Sequence, residues 1–263
     1  MARITFADIS LNVTERGAGV PLLLVHGFPL DHTMWSAQID ALSRQNRVIA
    51  PDLRGFGNSD VTPGTVTMAQ YADDLAQLLD AMQVREPVVF CGLSMGGYVG
   101  WQFWDRHRQR LAKLILCDTR AVADTAEGAA ARLQTAEKVL AEGPQVVAES
   151  MLPKLFAPES IEQQKPFVEA TRSVMLKTHP DGMAAALRGM AERPDFTPRL
   201  PQIDVPTLVL GGQHDPISTP QEMEQIAAAI PGATFVQIAG AGHMSPLEQP
   251  SAVNSKIGAF VAN

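Results

Sequence analysis

Apolar residues along the chain follow two patterns, and the two alternate. Leu11 to Glu15 switches between apolar and polar positions, the period of a half-buried strand. Pro21 to His26 is a short unbroken apolar run that stops at Gly27, as expected of a strand buried on both faces. Ser36 to Ser43 reads as a short amphipathic helix, and Arg47 to Ala50 as a strand ahead of the break at Pro51-Asp52. From Thr67 to Met82, apolar side chains recur at Met68, Tyr71, Ala72, Leu75, Leu78, Leu79 and Met82. That 3.6-residue spacing predicts a helix with Thr67 as its N-cap. Pro87 to Gly92 reads as a buried strand, Met95 to His107 as a helix, and Leu111 to Cys117 as the next strand. After a long gap the pattern resumes. A strand is expected over Val205 to Gly212, a helix over Pro220 to Ile230, a strand over Ala233 to Ile238 and a closing helix over Ser251 to Val261.

This alternation predicts an α/β fold with a mostly parallel central sheet and helices on both faces. Between about Arg120 and Asp204 the strand signal vanishes. The stretch is rich in Ala, Glu, Gln and Met and is punctuated by Pro144, Pro153, Pro158, Pro166, Pro180 and Pro194. Several short helices inserted between two strands of one sheet form an expected cap. The division is then a core over 1–119 and 204–263 and a helical cap over 120–203.

Composition narrows the class. A chain of 263 residues, 46% hydrophobic and 19% charged, can bury a sizeable core and leaves little room for long disorder. The net charge of −7, with no Lys/Arg block, argues against nucleic acid or an anionic membrane as partner. Two cysteines are too few for a secreted disulfide framework, and Cys91 and Cys117 both sit in strand-like runs as expected buried thiols. Met1 to Ser10 has no long apolar stretch, no signal peptide is visible, and no run approaches the roughly 18 apolar residues of a membrane span. A cytoplasmic, soluble enzyme is the expectation.

The sharpest chemical signal is Gly92-Leu93-Ser94-Met95-Gly96, which follows a buried strand and opens a helix. In that setting G-x-S-x-G marks a tight turn that exposes a nucleophilic hydroxyl. Its bland reading is a glycine-rich packing turn with an N-capping serine. The helix N-terminus adds free N–H groups and partial positive charge for a developing anion.

A serine hydroxyl needs a base. Of six histidines, His107 lies among Arg106 and Arg108 and reads as solvated, His179 precedes Pro180 in the cap, and His214 reads as a surface residue. His26 ends a buried strand and reads as a loop brace. His243, in Gly240-Ala241-Gly242-His243-Met244 after the last strand, is the candidate base. The acid that orients it should sit at the carboxyl end of a strand. Asp52, Asp118 and Asp215 do so. Asp52 reads as a loop-bracing partner of Arg54, Asp215 is the first choice, and Asp118 is its rival.

With these residues the chain resembles the α/β-hydrolase superfamily. The order Ser94, Asp215, His243 matches the family's nucleophile–acid–base order. His26-Gly27-Phe28-Pro29 resembles its oxyanion loop, and Asp52-Leu53-Arg54-Gly55-Phe56-Gly57-Asn58-Ser59 resembles its D-x-R-G-x-G-x-S loop. The resemblance implies that the backbone N–H groups of Phe28 and Met95 form the oxyanion hole. It spans the sheet portion and is weak in the cap.

Other chemistries fail on particular residues. Gly55-Phe56-Gly57 lacks the third glycine of a dinucleotide fingerprint, no Walker lysine follows Gly96-Gly97, and no helical His pair is spaced for zinc. No metal or cofactor is expected. Phe28, Trp35, Met95 and Met244 flank the motif positions and are expected to line an apolar acyl pocket. Cys117-Asp118-Thr119-Arg120 and Ala185 to Asp195 resemble the group that includes 3-oxoadipate enol-lactonases and small carboxylesterases, which implies a small ester or lactone substrate. Cofactor-free perhydrolases and a ligand-binding receptor on this fold are the alternatives.

Overall fold

The computed structural model describes residues 2–263. β1 (Ala2–Phe6) and β2 (Ile9–Arg16) form an antiparallel hairpin, with Phe6 opposite Ile9. β1 is an edge strand with mostly exposed side chains, which is why no apolar run marks it in the sequence. β3 (Val20–Val25) enters the middle of the sheet. A 3-10 turn (His32–Trp35) and α1 (Ser36–Leu42) carry the chain to β4 (Asn46–Pro51), parallel to β3. α2 (Met68–Ala81) crosses back to β5 (Val88–Leu93), which pairs with the other side of β3, and α3 (Met95–Arg106) leads on to β6 (Leu111–Cys117).

Five helices then intervene: α4 (Ala126–Glu142), α5 (Gln145–Leu155), α6 (Pro158–Glu162), α7 (Pro166–Lys177) and α8 (Pro180–Ala191). The sheet resumes with β7 (Thr207–Gly212), α9 (Pro220–Ala229) and β8 (Thr234–Ile238). α10 (Ser245–Glu248) and α11 (Pro250–Ala262) close the chain. The strand order is β1-β2-β4-β3-β5-β6-β7-β8, antiparallel over the first three strands and parallel from there on.

The sequence patterns have direct physical counterparts. Every residue of β5 is buried, as an unbroken apolar run under two helical layers requires. The α2 stripe faces the core through Met68, Tyr71, Leu75, Leu78 and Leu79, each such side chain contributing about 1.5–3 kcal/mol on burial. The Thr67 hydroxyl accepts from Gln70 N at 3.1 Å, capping the helix as its position predicts.

The chain leaves β3 toward β4 on one side and returns to β5 on the other. The sheet therefore has a switch point between β3 and β5, where the following loops diverge and open a crevice. α8 is almost wholly buried and lies directly against core loops. Val66 N donates to Ala185 O at 3.1 Å, and a Cβ at Gly189 would fall 1.8 Å from Val66 O. Only glycine lets the two backbones approach so closely.

Candidate active site

Ser94 joins β5 to α3 at φ 53°, ψ −112°, a conformation that costs a non-glycine residue about 1–3 kcal/mol. Two bonds to the next strand's end hold it there: Ser94 N to Cys117 O at 2.9 Å, and Thr119 Oγ1 to Ser94 O at 2.7 Å. A Cβ at Gly96 would meet Val25 O at 2.4 Å, so the glycine lets the helix start press against β3. Ser94 occupies the N-cap position of α3, yet its side chain makes no capping bond. The hydroxyl is thus free, unlike that of the N-capping Thr67. Met95 is the first helical residue and its N–H has no intrahelical acceptor. Among the described residues, the Phe28 N–H has none either. Gly27 packs beside the serine, its Cβ position 3.4 Å from Ser94 Cβ, which brings the Phe28 loop to the same turn.

Asp215 lies just beyond β7 in a turn that its own carboxylate ties. Oδ1 accepts from Ile217 N at 2.7 Å and Ser218 N at 3.1 Å, and Oδ2 accepts from Ser218 Oγ at 2.5 Å. The same Oδ2 lies 2.7 Å from His243 Nδ1. This pairing orients the imidazole and leaves Nε2 as its free nitrogen. Burial alone would raise the Asp215 carboxyl, but the charge and hydrogen bond of His243 hold it below the usual range. Burial likewise would lower His243, and the Asp215 charge, its hydrogen bond and Asp118 together raise it.

Asp118, the rival acid, has a different task. It follows β6 at φ 45° and is fully buried. It accepts from Gly212 N at 2.7 Å and from Ser245 Oγ at 2.5 Å. Burial, then the nearby Asp215 charge, push its carboxyl up to about 8. Asp118 links the end of β7 to the loop that carries His243. Ser94 bonds to residue 117 and Ser245 to residue 118, so this link draws the His243 loop across toward the serine turn. No hydrogen bond joins Ser94 Oγ to His243 Nε2, and such contacts commonly tighten only with substrate bound.

Three other histidines brace loops or helix ends, two with partners the sequence did not foretell. His26 Nε2 accepts from Leu53 N at 2.9 Å, and Nδ1 lies 2.9 Å from Gly27 O, so it braces two loops as expected. Burial lowers it, keeping it neutral. His107 stays partly exposed, but Nε2 also pairs with Asp73 at 2.7 Å. Asp52 does not pair with Arg54, which binds Asp74 at 2.8 Å. Instead Asp52 takes His32 Nδ1 at 2.6 Å, Asn12 Nδ2 at 2.8 Å and Asn58 N at 2.9 Å. Burial opposes its ionisation, but these donors bring it down to about 2. Asp31, His32 and Asp52 have ligand-type atoms within 4.8 Å of one another. The Asp52 oxygens are already filled by these protein donors, an arrangement that serves the loop rather than a cation.

A pocket of about 250 Å³ opens between the sheet core and α4, α5 and α8, lined by Phe28, Asp124, Arg132, Thr135, Met151 and Leu187 among others. Of the four residues Phe28, Trp35, Met95 and Met244, Phe28 borders this space. Trp35, Met95 and Met244 are 0%, 0% and 1% exposed and do not line it. The wall comes instead from the inserted helices, where sequence patterning carries no signal for which faces turn inward. Ser218, Ser245 and Glu248 were also missed, since isolated polar residues in a turn and in a single-turn helix leave no periodic trace.

A strand–turn–helix serine and a buried His–Asp pair at the carboxyl edge of a parallel sheet define the α/β-hydrolase class. The chain belongs to that family: the α/β-hydrolase fold model matches residues 20–250. It is 30% identical over 260 residues to 3-oxoadipate enol-lactonase 2 of Acinetobacter baylyi, covering 98% of this chain and 95% of that one. Among solved structures, a thermophilic esterase from Thermogutta terrifontis, with malate bound, superposes with a TM-score of 0.96 at 48% identity, covering 99% and 97% of the two chains. The enol-lactonase of Burkholderia xenovorans gives 0.92 at 30% identity over the full length of both. Among the described residues no helix is long and apolar enough to cross a membrane.

Proposed function

We propose that the protein is a serine hydrolase of small carboxylic esters or lactones, with Ser94 as nucleophile, His243 as base and Asp215 as the orienting acid. The observation that carries this reading is the Ser94 hydroxyl, held uncapped on a strained turn beside two unpaired N–H groups. In this reading Ser94 Oγ attacks the substrate carbonyl and His243 Nε2 takes its proton. The Phe28 and Met95 N–H groups receive the oxyanion, each such donor worth about 10²–10³ in rate. His243 returns the proton to the leaving alcohol or enol, and water then releases the acyl group by the same route. Asp215 stabilises the imidazolium at 2.7 Å. The inserted segment 120–203 acts as the cap, and its pocket holds the acyl or alcohol portion. The esterase and enol-lactonase relatives support the substrate class.

Ser94→Ala should abolish turnover of p-nitrophenyl acetate and labelling by a fluorophosphonate. Labelling that persists in the variant would remove Ser94 from the mechanism. Peroxide-dependent halide oxidation exceeding hydrolysis would favour the perhydrolase alternative.

A further inference from the structure

The Glu248 carboxylate joins the 157–160 stretch of the inserted helices to the loop that precedes its own helix. Oε1 accepts from Ala157 N at 2.8 Å and from Ser160 Oγ at 2.7 Å, both at the start of α6 in the cap. Oε2 accepts from Gly242 N at 2.6 Å, the residue immediately before His243. On the other side of the histidine, Met244 N donates to Leu155 O at 3.0 Å, at the end of α5. Both neighbours of the imidazole-bearing residue are therefore tied to one stretch of cap, Leu155 to Ser160. Contact there is close: a Cβ at Gly242 would lie 2.6 Å from Ala157 N. Glu248 has no cationic partner among the described residues; its oxygens are satisfied by these neutral donors. The imidazole itself is held from the core side only by Asp215 and Ser218.

We infer that Glu248 is a positioning residue that locks the His243 loop to the α5–α6 junction of the cap, so that alignment of the base depends on how the cap is seated. This inference rests on His243 being the base. The carboxylate is needed as such, because it must accept on both oxygens at once. Glutamine keeps one acceptor and turns a donor toward either Gly242 N or the cap donors, breaking one side of the lock. An imidazole displaced by about an ångström loses rate on the order of 10²-fold, while the pocket walls that bind substrate stay in place.

The test compares wild type, E248Q and S160A by kcat and KM on p-nitrophenyl acetate, by the rate of fluorophosphonate labelling, and by thermal melting. E248Q should lose about tenfold to a hundredfold in kcat with KM within about threefold. Its labelling should slow by the same factor, in protein that still melts cooperatively. S160A removes one cap bond and leaves Gly242 bound, so its loss should be smaller and of the same kind. Wild-type kcat and labelling in E248Q would overturn the inference, as would losses that follow only the folded fraction. Should E248Q not fold, S160A decides alone, and unchanged kcat and labelling there would refute it. A wild type that is neither active nor labelled would instead defeat the assignment of Ser94 and His243.

Discussion

Replacing Asp118 by asparagine separates two buried carboxyls that sit side by side but differ in protonation. In the folded protein the Asp118 carboxyl keeps its proton to about 8, against 3.8 for an ordinary aspartate. The unfolded chain therefore releases that proton about four pH units earlier. At about 1.4 kcal/mol per unit, the difference is on the order of 5 kcal/mol. Because the folded value is raised, the stability linked to this group is fully present below about pH 4 and is lost as pH rises toward 8. Asparagine is a neutral isostere. Its Oδ1 still accepts from Gly212 N, and its Nδ2 donates to Ser245 Oγ, so both bonds survive in reversed or unchanged sense. Urea unfolding of D118N and wild type at pH 5, 7 and 9 measures the effect, with the other titrating groups cancelling in the difference. The variant's advantage should be on the order of 1.5 kcal/mol at pH 5 and should grow by roughly 4 kcal/mol by pH 9. An offset that stays constant from pH 5 to 9 would refute the claim that a protonated Asp118 underlies it.

Three further outcomes bear on the site and on the seating of α8. D118N should keep kcat within about tenfold of wild type, whereas Asp215→Asn should lose roughly 10³–10⁴-fold because the imidazole loses its partner; the reverse order would transfer the acid role to Asp118. The pH profile of kcat/KM should rise through a midpoint above the ordinary histidine value of 6.5, since the Asp215 charge and hydrogen bond raise His243 against the effect of burial. A profile flat from pH 5 to 9 would exclude a histidine base. Gly189→Ala should destabilise by about 1–3 kcal/mol in thermal or urea melts, because its Cβ would stand 1.8 Å from Val66 O and must lift α8 off the core; an unchanged melt would mean that the helix is not seated by this contact.

The elements legible in the sequence are those whose burial is regular. β5 and β6 lie under helices on both faces, so their runs of Val, Leu and Ile end within a residue or so of the observed strands. β1 escaped notice because it is an exposed edge strand held by main-chain pairing to β2, and main-chain hydrogen bonds leave no trace in side-chain pattern. Ser94, His243 and Asp215 could be singled out because glycine spacing and strand ends mark turns. The Asp52–His32 and Arg54–Asp74 pairs could not, since charged neighbours in sequence are not the neighbours in space. The walls of the space beside Phe28 were not legible for a similar reason. Trp35 and Met244 adjoin the motifs along the chain, yet their side chains turn into the core, and the space beside Phe28 is bounded by α4, α5 and α8.

Asp118 and Asp215 were interchangeable in sequence because both follow a buried strand of the same sheet. What separates them is the set of donors each one meets. Asp215 closes its turn on two backbone N–H groups and a serine hydroxyl, and the imidazole completes four donors on one carboxylate, which is enough to hold it ionised against burial. Asp118 meets only Gly212 N and Ser245 Oγ, in full burial and beside a carboxylate already charged. Two like charges so close in a dry site cannot both be kept, so the better-solvated one ionises and the other holds its proton. The division gives the imidazole a single charged partner and turns Asp118 into a neutral tie between the two loops that carry Asp215 and His243.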